Sequence, residues 1–99
     1  MIKINEIKTS CGILRYRNPT IVEAISLVRL LRDYFAIDDT VGAKLTIMEN
    51  IKELFDYSQM ENIKSFEDMN NHGDEMIGVL YSISDEILNK VVGAFAKKA

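Results

Sequence analysis

Ninety-nine residues, 47% of them hydrophobic and 27% charged, suit one globular domain with one core and exclude a wholly disordered chain. The single cysteine excludes an internal disulfide, and with only one histidine beside it a structural zinc site is not expected. The formal charge of −3 hides an asymmetry, because residues 1–36 carry six Lys/Arg against three acids and residues 37–99 six lysines against twelve acids. That layout favours head-to-tail contact or a polarised partner surface.

Ile2 and Ile4 begin an imperfect period-two pattern that reaches Ile7, and Thr9-Ser10-Cys11-Gly12 follows as a turn-prone cluster. With Ile13-Leu14-Arg15-Tyr16-Arg17 as the second run, residues 1–17 read as a β-hairpin. Its alternation places Leu14 and Tyr16 on one face and Arg15 and Arg17 on the other. Asn18-Pro19-Thr20 stops the hairpin, and Thr20 with Glu23 three residues on is a capping box opening a helix over 20–36. Its expected core stripe is Ile21, Ala24, Ile25, Val28, Leu31 and Phe35, widened by Leu27, Leu30 and Tyr34, with Ser26, Arg29 and Asp33 outside.

A loop at Ile37–Thr40 carries cap candidates, and a second helix is predicted over 41–57 with its stripe starting at Ile47. Ser58 to Asn62 is a polar break, after which Ser65 can cap a short helical turn near 65–70. Asn70 to Asp74 breaks the chain again. From Met76 to Phe95 every apolar interval is three or four, which predicts a helix over 74–96, or two shorter ones joined by a kink at Ser82–Glu86. Lys97 and Lys98 suit the negative end of its macrodipole. The expected fold is therefore α+β: an N-terminal β-hairpin followed by a compact bundle of three to four helices, all in one domain over 1–99.

The start of the chain has no uninterrupted apolar run, and no segment approaches the roughly 20 apolar residues of a membrane span, so a cytoplasmic protein is expected. Catalytic, metal and cofactor residues are expected to be absent. Cys11 in a hairpin turn and His72 in a distant loop give no reason to meet, and the run His72-Gly73-Asp74-Glu75 reads as a helix start rather than a metal cluster. The glycines are isolated, so no phosphate-binding loop is present. Arg15 and Arg17 around Tyr16 form the alternative reading, a strand face that follows a nucleic-acid backbone, and a sequence pI near 5.1 weighs against it. Met48, Met60, Met69 and Met76 cluster in the middle of the chain, suiting either an adaptable apolar groove or gap-filling in the core.

The stretch Leu14-Arg15-Tyr16-Arg17-Asn18-Pro19-Thr20, running into a capped helix at Ile21-Val22-Glu23-Ala24 and a helical acidic remainder, resembles the tail assembly chaperones of long-tailed bacteriophages. The resemblance covers the layout of the whole chain and the motif in residues 14–23. It implies a non-enzymatic protein of the host-cell cytoplasm that coats the long helical tape measure protein and self-associates. Many members of that family are made in two forms by a ribosomal frameshift, and Ala96-Lys97-Lys98-Ala99 can be encoded by the kind of adenine run such a shift uses. Large apolar side chains near element ends, namely Tyr16, Tyr34, Phe55, Tyr57, Met60, Phe66 and Met69, are the expected client contacts. Self-association is expected to depend on concentration and to loosen with salt.

Overall fold

The computed structural model describes residues 3–96. Within them the order is β1 (Ile4–Thr9), β2 (Gly12–Arg17), α1 (Ile21–Ala36), α2 (Thr40–Asn50), β3 (Phe55–Asp56), α3 (Phe66–Asn70) and α4 (Asp74–Ala96). The fold is α+β, as the sequence predicts, with a third strand added to the hairpin. The expectations for Met1, Ile2, Lys97, Lys98 and Ala99, and for the side chains of Ala94 and Phe95, lie outside the described residues.

The hairpin pairs antiparallel from Thr9↔Gly12 to Ile4↔Arg17. Thr9 Oγ1 holds its turn, accepting from the Cys11 amide at 3.1 Å and donating to the Gly12 carbonyl at 2.8 Å. Gly12 is at φ +113°, and the Gln59 carbonyl lies where a Cβ would stand, so glycine is required there for two reasons. Along β2, Leu14 and Tyr16 are buried as the alternation predicts, and Arg15 and Arg17 point the other way.

The helix predicted over 41–57 is shorter. It runs from Thr40 to Asn50, gives way to one 3₁₀ turn at Lys52–Leu54, and the chain then extends as β3. Ile47, Ile51 and Leu54 are buried in either conformation, so their spacing could not separate the two. What decides is the far edge of β2, whose backbone groups need partners. β3 supplies them in the register Tyr16↔Phe55 and Arg15↔Asp56, giving the sheet order β1-β2-β3. The polar break after it continues alongside β2: the Ile13 amide donates to Gln59 O at 3.1 Å and the Glu61 amide to Cys11 O at 2.7 Å.

The capping box is present as read. Thr20 Oγ1 accepts from the Glu23 amide at 3.2 Å while the Glu23 carboxylate accepts from the Thr20 amide at 2.8 Å. Asp39 caps α2 through Gly42, and Ser65 caps α3 through Asp68. α4 is one continuous helix with no break at Ser82–Glu86. Ser84 is fully buried there because its hydroxyl bonds the Leu80 carbonyl at 2.8 Å, one turn back.

The core is built from Leu14 and Tyr16 of β2, Leu27 and Leu31 of α1, Ala43 and Ile47 of α2, and an α4 stripe of Met76, Leu80, Ile83, Ile87, Leu88 and Val91. Ile63 and the α3 residue Met69 complete it. Here the expected stripe of α1 needs correction. Leu27 and Leu31 are inside with Ala24, Val28 and Tyr34 half-buried, whereas Ile21, Ile25 and Phe35 face outward. The close approach of α2 fixes that rotation. Gly42 lies against the Tyr34 ring, where a Cβ would stand 2.6 Å from Tyr34 Cδ1, so the α1 face bearing Tyr34 must turn inward.

Candidate partner-binding surface

Of the seven residues expected to contact a client, two are internal and five are partly buried. Tyr16 is 3% exposed and Met69 fully buried, so neither is available to a partner. Phe55 sits at the centre of an aromatic cluster, 6.3 Å from Tyr16, 6.2 Å from Tyr57 and 6.0 Å from Phe66 between ring centroids. These rings, Tyr34 and Met60 are half-buried against the core and pack within the molecule. The methionines likewise fill gaps, with Met76 fully buried and Met48 packed against the core, so no methionine groove is formed among the described residues.

Arg15 and Arg17 share the solvent face of β2, as expected, but both are matched by carboxylates. Arg15 lies between Glu6 at 3.4 Å and Asp56 at 3.8 Å. Arg17 makes a two-pronged bond to Glu23, Nη1 to Oε1 at 2.7 Å and Nη2 to Oε2 at 3.0 Å. The guanidinium beside it and the Thr20 amide hold the Glu23 carboxyl down at about 2. Arg17 thus ties the end of the hairpin to the first turn of α1. Phosphate-tracking surfaces present unmatched cations, and this face alternates sign instead.

A second clamp joins the hairpin to α4. The Tyr16 hydroxyl donates to Glu86 Oε2 at 2.7 Å, and Lys90 bridges Glu86 at 2.8 Å and Asn18 Oδ1 at 3.1 Å. Burial, reinforced by the adjoining carboxylate, pushes the Tyr16 phenol well above its usual value.

Cys11 and His72 are closer than the sequence suggests, with Sγ 3.7 Å from Nδ1. The hairpin turn docks on the α3–α4 corner through Ser10, whose hydroxyl and amide both bond the Glu75 carboxylate. Glu75 is thereby engaged by Ser10, not by the imidazole, and the third member of a nucleophile–base–carboxylate relay is not supplied from it. Groups of three or more His, Cys, Asp or Glu able to hold a metal ion are not found among the described residues.

The surface that the sequence reading missed is the outer side of α1. Ile21 is 78% exposed, Val22 74% and Leu30 47%, with Ile25 also uncovered. The structure is thin, 43 × 31 × 17 Å along its principal axes, and no second layer covers that side of α1 among the described residues. Two apolar hollows flank its first turns. One of about 250 Å³ lies between Pro19, Ile21 and Ala24 and the Lys90–Val91 segment of α4. The other, about 180 Å³, lies between Val22, Leu27 and Leu30 and the Ile51–Leu54 segment. Ile21, Val22 and Ile25 therefore form an apolar ridge with a groove on each side.

No helix of the described residues is long and apolar enough to cross a membrane. Comparison with protein-family models, with curated proteins and with solved structures finds no match for this chain.

Proposed function

We propose that this protein is a non-enzymatic assembly chaperone or adaptor, of the kind that serves phage tail assembly, and that it covers an apolar helical client such as a tape measure protein. The observation that carries this reading is the exposed ridge of α1 with its flanking grooves. A ridge between two grooves suits a partner helix that presents apolar side chains at three-to-four spacing. Covering one Ile or Val side chain stabilises a complex by roughly 1.5–3 kcal/mol, so three such residues suffice for a reversible, useful affinity. The matched charges of Arg15 and Arg17 weigh against the nucleic-acid alternative. In this reading the protein works in the cytoplasm of the infected cell.

The test is co-expression with a long helical protein of the tape measure type, comparing the native chain with an Ile21→Ser/Val22→Ser variant. Both side chains are exposed, so the variant keeps its fold, which circular dichroism checks. The native chain should hold the client in the soluble fraction and the variant should release it. A client equally soluble, or equally insoluble, with both proteins contradicts the proposal.

A further inference from the structure

β1 is an edge strand. It pairs with β2 on one side only, and among the described residues nothing pairs with its other side. The Asn18 amide donates to Lys3 O at 3.2 Å, which makes Lys3 and Asn18 a hydrogen-bonded pair of the ladder. Alternation then turns the backbone groups of Asn5, Ile7 and Thr9 toward β2 and those of Ile4, Glu6 and Lys8 outward. The outward amides and carbonyls of these three residues, along a strand of six, form a template for another strand.

We infer that this edge binds a second copy of the same chain, β1 against β1, across a two-fold axis. The occupant follows from the charges. Antiparallel pairing must set outward-facing residues opposite one another, which leaves few registers. One sets Glu6 against Glu6 and one sets Lys8 against Lys8, and both juxtapose like charges. Registers that set Ile4 against Ile4 or against Glu6 match no charge. The remaining one sets Glu6 against Lys8 and, by symmetry, Lys8 against Glu6, so that each pair exchanges its backbone hydrogen bonds and an ion pair.

Two further features agree with that register. It places Ile7 opposite Ile7 on the axis, and Ile7 is a half-buried residue on the core face whose remaining exposure the partner would cover. It also extends a charge row already present on the solvent face. Asp56, Arg15 and Glu6 alternate in sign across β3, β2 and β1, and the partner's Lys8 is the next member. Within one copy Lys8 has no ion pair among the described residues, although it stands exposed on the same face as Glu6. The dimer is a six-stranded sheet in the order β3-β2-β1-β1-β2-β3. This inference concerns the sheet edge alone and does not rest on the reading of α1.

The experiment is sedimentation of three samples at low salt: the Glu6→Lys variant, the Lys8→Glu variant and their equimolar mixture, beside the native chain. In the homodimer of either variant both cross-strand pairs become like-charged, and dimer affinity should fall about tenfold or more. In the mixed dimer the lysine introduced by one variant faces the glutamate introduced by the other, and the unchanged Lys8 of the first faces the unchanged Glu6 of the second. Every pair is again of opposite charge, so affinity should return to near the native value. Because each variant alone dimerises more weakly, recovery in the mixture also shows that both are folded. As a second readout, the Glu6 and Lys8 amides should exchange more slowly as native protein concentration rises. Three results overturn the inference: a native chain that stays monomeric, variants that dimerise as well as it does, or head-to-tail oligomers that the mixture leaves unchanged.

Discussion

Removing the Glu23 carboxylate breaks three contacts at once, since it caps α1 by accepting from Thr20 and holds Arg17 with both oxygens. Loss of its bond to the Thr20 amide costs about 1 kcal/mol, with the Thr20 hydroxyl cap left in place. The ion pair adds about 0.5–1 kcal/mol, because 35% of the Glu23 side chain and 27% of Arg17 remain in water and screening is substantial. Glu23→Ala should therefore destabilise by about 1.5–2 kcal/mol. With an unfolding entropy of about 2 cal/mol/K per residue, that is a fall in Tm of about 7–10 °C. Glu23→Gln keeps an acceptor for the Thr20 amide and should fall in between. The pH dependence is specific. Glu23 is held at about 2 in the folded chain against 4.5 ordinarily, so its contribution is full above 4.5 and disappears as pH falls through about 2. Thermal melts of native and Glu23→Ala protein should converge over that window. A gap that is absent at neutral pH, or that persists unchanged into acid, refutes this account of the junction.

Two other substitutions probe the packing. Gly42→Ala puts a methyl group against the Tyr34 ring and the Asp39 cap, and should destabilise by about 1–3 kcal/mol in denaturant unfolding; no loss would mean that α1 and α2 are not in this contact. The Tyr57 hydroxyl is buried without a hydrogen-bond partner, and burial together with Asp68 and Glu53 pushes it up to about 12. Tyr57→Phe removes that orphan group and should raise stability by about 1 kcal/mol, whereas a loss of the same size would show that the hydroxyl has a partner.

The features legible in the sequence are those set by neighbours in the chain. Thr20 and Glu23 form their capping box because both partners lie within one turn, and Ser65 caps α3 for the same reason. The hairpin turn at Thr9–Gly12 and the unbroken apolar spacing of α4 are equally local. The misread features depend on distant partners. Apolar residues surround much of α1, so two overlapping stripes fit the period, and only the seat of Tyr34 on Gly42 chooses between them. β3 is two residues long and exists because β2 has an open edge, while Phe55 fits the spacing of a helix stripe. The burial of Tyr16 and Met69, and the partial burial of the other expected contacts, has a related cause. Large aromatics near element ends are where a thin structure closes its core, and Phe55, Tyr57 and Phe66 do that here. The carboxylate partners of Arg15 and the meeting of Cys11 with His72 are likewise products of the fold, with no local signal.

The claim that α1 is the client surface is tested most directly by methyl-labelled protein titrated with an apolar helical segment of a tape measure-type protein. Ile21, Val22, Ile25 and Leu30 project from the uncovered side of α1 and give separate methyl signals. These methyls should shift together and saturate at one stoichiometry, while those of the fully buried Leu14, Ile63 and Ile83 stay in place. Binding that leaves the α1 methyls unmoved, or no binding at all, would contradict the claim.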